Sequence, residues 1–251
     1  MRLDRFLSAC GLFSRREADA AVRTGRIAVN GEPVRSAALH IDPDRDAVTL
    51  DGLPIVYRRF LYILLNKPAG YISATEDGRF PCVTELLPPD MQKRGLFPCG
   101  RLDRDTVGLM LLTDDGALAH RLLSPKHHVE KVYAFSCTPA LPPSAEAEIL
   151  AGMPLGDEIC KPAALLCTPD RCGGQITLTE GKYHQIKRMI AALGSRVTAL
   201  ERIAFAGIRL DADLPRGAFR PCSDQEIERL RAADIEKGEI PWTSCKHSPR
   251  S

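Results

Sequence analysis

The stretch from Arg2 to Val34, RLDRFLSACGLFSRREADAAVRTGRIAVNGEPV, has little freedom in how it can fold. Leu3, Phe6 and Leu7 share one helical face, which predicts a first helix over 2–9. Ser14 and Glu17 have the spacing of a capping box, so a second helix starts there and runs to about Arg23. Thr24-Gly25 stops it. Ile27 and Val29 then alternate into Asn30-Gly31, a pair that accepts the positive φ angles of a tight hairpin turn. AVTLDGLPI adds another strand and turn. Helix, capped helix and hairpin together predict a compact module over 1–58.

The chain has 251 residues, enough for this module and a larger second domain, placed at 59–234. The basic segment YRRF (57–60) links the two. Beyond it, 61–74 reads as an apolar strand that ends at Asn66-Lys67-Pro68, followed by a turn. Strands are predicted at 107–112, 129–138, 175–179 and 197–204, and helices at 116–123, 143–151 and 184–193. A second capping box, Ser223 to Glu226, opens a terminal helix. No regular strand–helix–strand alternation runs through this part. The expected class is therefore α+β, with a mostly antiparallel central sheet flanked by helices. The tail, 235–251, is rich in Lys, Glu, Ser and Pro and predicts a flexible end.

Composition excludes several function classes. The chain is 44% hydrophobic and 26% charged, with no apolar run of membrane-spanning length. Its first residues carry acids and lack the apolar core of a signal peptide, which points to the cytoplasm. The nine cysteines include no C-x-x-C spacing, so they read as reduced, mostly buried residues with no metal site. Net charge is only +2, so local distribution has to identify a polyanionic partner. Residues 1–35 hold seven arginines and no lysine against four acids. Such charges either solvate a helix face or form forked contacts to phosphate, with Arg15, Arg16 and Arg26 the candidates.

Three charged stretches stand apart in the larger domain: GRLDRDTVGL (100–109), HRLLSPKHHVEKVY (120–133) and EGKYHQIKRM (180–189). Each taken singly reads equally well as a solvated loop. Together they offer a carboxylate, Asp103, beside Arg101 and Arg104. They also offer basic groups for phosphates in Lys131, Lys182, His184 and Lys187, and a flat ring in Tyr133 for stacking on a base. There is no Gly-rich phosphate loop, Ser-x-x-Lys, zinc spacing or dinucleotide fingerprint. The set suits attack on a nucleoside. Asp114-Asp115 reads as a turn before the helix at 116.

The front module resembles the S4 domain, a small RNA-binding unit. The ordered set NKPAGY, GRLDRDTVGLMLLTDDG, SPKHHVEKVY and EGKYHQIKRM resembles the RNA pseudouridine synthases of the ribosomal small-subunit pseudouridine synthase A group, over roughly residues 1–231. The resemblance implies a catalytic domain that isomerises a specific uridine of 16S ribosomal RNA without a cofactor, in a closed pocket for which Leu102, Leu109 and Ile186 are the expected apolar walls. It makes Asp103 the catalytic aspartate, Tyr133 the active-site tyrosine and Lys187 the basic partner of the aspartate, where many relatives carry Arg. Arg101 would help to hold the flipped nucleotide. Asp105 would brace the loop without acting as a second acid. The implied partner is ribosomal RNA, naked or in an assembly intermediate, bound by a monomer away from any membrane. A synthase for large-subunit (23S) RNA and a non-enzymatic S4-type assembly protein are the alternatives.

Overall fold

The computed structural model describes residues 1–233, apart from Gly11, Val56, Arg58 and Pro125; the predicted tail lies outside the described residues. The first module holds α1 (Leu3–Ala9), α2 (Arg15–Arg23), β1 (Ile27–Val29), β2 (Glu32–Pro33), β3 (Val48–Leu50) and β4 (Leu53–Pro54). The Ser14 hydroxyl accepts from the Glu17 backbone N–H, and the Glu17 carboxylate accepts from the Ser14 N–H, so the capping box forms as its spacing requires. Asn30 and Gly31 take φ of 53° and 85° and turn β1 into β2. Leu3, Phe6, Leu7, Ala18, Val22, Ile27 and Val48 close a separate small core.

The larger part continues with β5 (Tyr62–Lys67), a 3-10 turn at Val83–Leu86, α3 (Pro89–Gln92), β6 (Phe97–Pro98), β7 (Val107–Thr113) and α4 (Gly116–Leu123). Then come β8 (Lys131–Thr138), α5 (Ala145–Ala151), β9 (Pro154–Leu155), β10 (Glu158–Ile159), β11 (Ala164–Cys167) and β12 (Gly173–Leu178). The series ends with α6 (Gln185–Ala192), β13 (Arg196–Phe205), β14 (Ile208–Arg209), β15 (Phe219–Pro221) and α7 (Asp224–Ala232). The main sheet runs β11-β12-β8-β13-β7-β5-β15, with β14 beside β13 and β6 beside β7. Among the described strands only β7 and β13 pair in parallel; every other pairing is antiparallel, as the missing strand–helix alternation implies.

Helices cover both faces of this sheet. Met110 and Leu112 of β7 point into one core with Tyr133, Phe135 and Ile186. Leu109 and Leu111 alternate into the other, with Leu118 and Leu122 of α4. This corrects one expectation: Leu109 faces the layer opposite Leu102 and Ile186, so it cannot wall the same pocket.

At the start of β7 the packing becomes exacting. Gly108 stands opposite Lys67 of β5 on one side and Arg202 of β13 on the other. Its φ is +101°, and a Cβ there would sit 2.3 Å from the Arg202 carbonyl oxygen. Backbone, which cannot swing away, fills the space. Gly108→Ala should therefore lower unfolding stability by about 3 kcal/mol, measured by denaturant titration.

Candidate active site

The loop 101–106 joins β6 to β7 and carries Asp103. A loop offers carbonyl oxygens but no ladder to hold them, and here a buried lysine does so. Lys67, at the end of β5, has no exposed surface. Its Nζ lies 3.1 Å from the carbonyl oxygen of Asp103, 3.3 Å from that of Arg104, 2.8 Å from that of Thr106 and 3.2 Å from that of Pro68. The Gly70 N–H donates to the same Arg104 oxygen at 2.8 Å. The Ser73 hydroxyl donates to the Leu102 carbonyl and accepts from its N–H, at 2.8 and 2.9 Å. Burial pushes the Lys67 pKa down to about 8, so the ammonium is still mostly charged at neutral pH.

Asp103 is half-buried, and its carboxylate meets α6. Lys187 Nζ lies 2.9 Å from Oδ2, and His184 Nε2 lies 3.4 Å from Oδ1. Lys187 also bonds Asp105 at 2.7 Å, so one ammonium bridges two carboxylates. Burial works against the charge on Lys187, but its bonds to Asp105 and Asp103 outweigh it and its pKa lies above the usual lysine value. Burial likewise opposes the charge on Asp105, and the bond to Lys187 overrides it, holding the pKa below the usual carboxylate range.

The helix that supplies Lys187 is itself fixed. Gln185, buried, donates to Glu180 at 2.7 Å and accepts from the Lys182 N–H at 2.9 Å. His184 precedes the helix in left-handed backbone, φ 47°. Arg188 donates to the Leu155 carbonyl at 2.6 Å.

The structure brings Asp103, Lys187 and His184 together. Tyr133 is only 8% exposed and packs in one core with Leu102 and Ile186, so it is part of a wall rather than an open stacking face. Lys131 is a correction. It alternates inward on β8, donates to the Val129 carbonyl at 2.9 Å and lies against Phe205. Burial pushes its pKa down to about 8, and it cannot serve as a phosphate contact. Lys182 is tied to the β9–β10 hairpin through Glu158 and the Ile159 carbonyl, at 3.3 and 3.2 Å. Arg101 is exposed and has no protein partner among the described residues. In the front module Arg15 and Arg16 are exposed, whereas Arg26 is held by Asp51 at 2.6 Å.

Sequence reasoning missed two residues. In the sequence Lys67 reads only as the end of a strand. Arg202, 1% exposed, donates from Nε to the Leu109 carbonyl at 2.6 Å and stacks over Phe205. Its only sequence signal is a charge at an inward position of a strand. Asp114 and Asp115 serve structure. Asp115 accepts from the Leu118 N–H as the cap of α4 and from the Tyr62 hydroxyl, and Asp114 accepts from Leu61 and Arg94.

Among the described residues no group of three or more His, Cys, Asp or Glu is placed to hold a metal, and no helix is long and apolar enough to cross a membrane.

Residues 61–192 match the RNA pseudouridylate synthase family, and residues 1–46 match the S4 domain. The chain is 41% identical over 234 residues to the RNA pseudouridine synthase YtzG of Bacillus subtilis, covering 92% of this chain and 98% of that protein. It is 41% identical over 231 residues to ribosomal small subunit pseudouridine synthase A of Escherichia coli, covering 90% and 98%. A solved pseudouridylate synthase superposes with a TM-score of 0.65 at 36% identity, covering 92% of this chain and 99% of that one.

Two predictions follow from these contacts. Below pH 8 Lys67 is charged in folded and unfolded chains alike, and the folded state carries the cost of burying it. Between about pH 8 and 10.5 the folded chain has released a proton that the unfolded chain still holds, so stability rises with pH. The difference in unfolding free energy between wild type and Lys67→Met should climb across that window, by at most about 1.4 kcal/mol per pH unit. A flat difference would contradict the pKa assignment. In RNA binding, Arg15→Ala and Arg16→Ala should each flatten the salt dependence by about 0.7–0.9 in log–log slope. Arg26→Ala, whose side chain is already paired, should change it less.

Proposed function

Because the chain belongs to the RNA pseudouridylate synthases and carries an S4 domain in front, we propose that Asp103 is the carboxylate that performs the isomerisation, and that the substrate is small-subunit (16S) ribosomal RNA. The enzyme is an isomerase. The N1–C1′ bond of uridine breaks, the uracil turns, C5 bonds to C1′, and the proton lost from C5 is balanced by one gained at N1. Nothing is oxidised or reduced.

The observation that carries the reading is the setting of Asp103. Its backbone is clamped by the Lys67 ammonium, and its side chain is held in a charged hydrogen bond by Lys187 at 2.9 Å. A carboxylate that reacts at C1′, or that starts elimination of the base, has to be fixed in direction, and these two lysines hold its backbone and its side chain. Leu102 and Ile186 flank Asp103 and Lys187 in sequence and join Tyr133 in one core. They supply the apolar side of the pocket that keeps the cleaved uracil away from water. Tyr133 is assigned to the proton at C5.

The target base has to leave its stack, at a cost of a few kcal/mol. Arg101, exposed and unpaired among the described residues, is the proposed contact to the flipped nucleotide. Arg15 and Arg16 hold RNA on the front module. The choice of 16S RNA rests on the identity to the Escherichia coli small-subunit enzyme over nearly its whole length. The protein acts as a cytoplasmic monomer in this reading.

Asp103→Asn should lower pseudouridine formation by about 10⁴-fold or more while RNA binding persists. Near-normal turnover would sink the assignment. Mapping pseudouridine in ribosomal RNA of a deletion strain should show one site missing from 16S RNA; a site missing from 23S RNA instead would overturn the substrate choice.

A further inference from the structure

We propose that Tyr183 is a stacking platform for the nucleotide next to the target uridine. The proposal rests on Asp103 being the reacting carboxylate. Tyr183 is 73% exposed, an unusual setting for a ring that sits between two polar, anchored neighbours. It stacks on His184 with centroids 3.9 Å apart and planes 16° from parallel. His184 in turn has Nε2 3.4 Å from the Asp103 carboxylate. The order is therefore carboxylate, imidazole, phenol, with most of the outer ring open to solvent.

The ring is held in place. Lys182, before it, is anchored to Glu158 and the Ile159 carbonyl. Its own carbonyl accepts from Arg188 at 3.5 Å, and His184, after it, is fixed in left-handed backbone. Its hydroxyl has no hydrogen-bond partner among the described residues, and the ring belongs to no core cluster. The fold thus spends nothing of its packing on Tyr183, yet orients it beside the site.

Two other rings near the site are less open: Tyr133 is buried, and Phe80 is 38% exposed with the Arg104 guanidinium 4.5 Å from its centroid. Stacking has a physical purpose here. When the target base flips out, its neighbours lose a stacking partner. A rigid aromatic surface beside the pocket replaces that partner. Because every base has a π-face, the platform would take a neighbouring nucleotide with little preference for its identity.

The probe is a short RNA carrying the target uridine with 2-aminopurine at the position 5′ or 3′ to it. With the full-length protein, one of the two positions should change fluorescence on binding. Tyr183→Ala should abolish that change and raise KM about tenfold, with the loss in KM rather than kcat; Tyr183→Phe should keep both the signal and KM. Thermal unfolding of the variants should match wild type, since the ring is outside the core. Unchanged fluorescence and KM in Tyr183→Ala would overturn the proposal, as would a loss confined to kcat. Asp103→Asn separates the two claims: it should keep the fluorescence signal while losing product, and an active Asp103→Asn would refute the carboxylate's role and leave the stacking result standing.

Discussion

A buried ammonium organises this molecule. Lys67 has no exposed surface and, among the described residues, no carboxylate in hydrogen-bond contact; its charge is met by the carbonyl oxygens of residues 68, 103, 104 and 106. Burying a charge is costly unless hydrogen bonds replace its water. Here the replacement comes largely from the loop that carries Asp103, so the loop is drawn to the lysine and the lysine depends on the loop. The strand order makes this possible. Lys67 ends β5 opposite Gly108 on β7, and the loop 101–106 leads into β7 from the same end. Gly108 has to be glycine because the backbone of Arg202 fills the place of a side chain.

On this base the side chain of Asp103 is set from a second direction. α6 brings Lys187 to it across a long sequence separation, and the same ammonium also holds Asp105. Two carboxylates on one lysine leave each with a smaller share of it. Asp105 is mostly exposed and Asp103 half-buried, so the bond to Asp103 is the less screened of the two. Asp105 therefore braces Lys187 as well as the loop. A lysine suits this bridge: its compact ammonium serves two separate oxygens without needing a planar fork.

Much of the fold was legible because it rests on local chemistry. The capping boxes at Ser14 and Ser223, the Asn30-Gly31 turn, and the strands at 107–113 and 196–205 follow from spacing and alternation. Short ladders such as Pro154–Leu155 with Glu158–Ile159 carry too few residues to show a period. Within the site, Asp103 and Lys187 were readable from motifs, but the direction of a side chain was not. Lys131 lies in a stretch that reads as basic, and its inward position on β8 buries it. Leu109 reads as a pocket wall until the pleat sends it to the other face. Tyr183 lies in a charged motif where nothing in the sequence separates an exposed ring from a packed one. Lys67 carries no mark in the sequence, since the hydrogen-bond partners of its ammonium are carbonyl oxygens that every residue possesses.

Lys67 fixes the loop that carries Asp103, the carboxylate proposed to react. The direct measurement is the single-turnover rate of pseudouridine formation by folded Lys67→Met at saturating RNA, with RNA affinity measured alongside. Affinity should stay close to wild type and the chemical rate should fall by about 10²-fold or more, the size of effect that misplacing a catalytic group produces. A folded variant that turns over at the wild-type rate would contradict it.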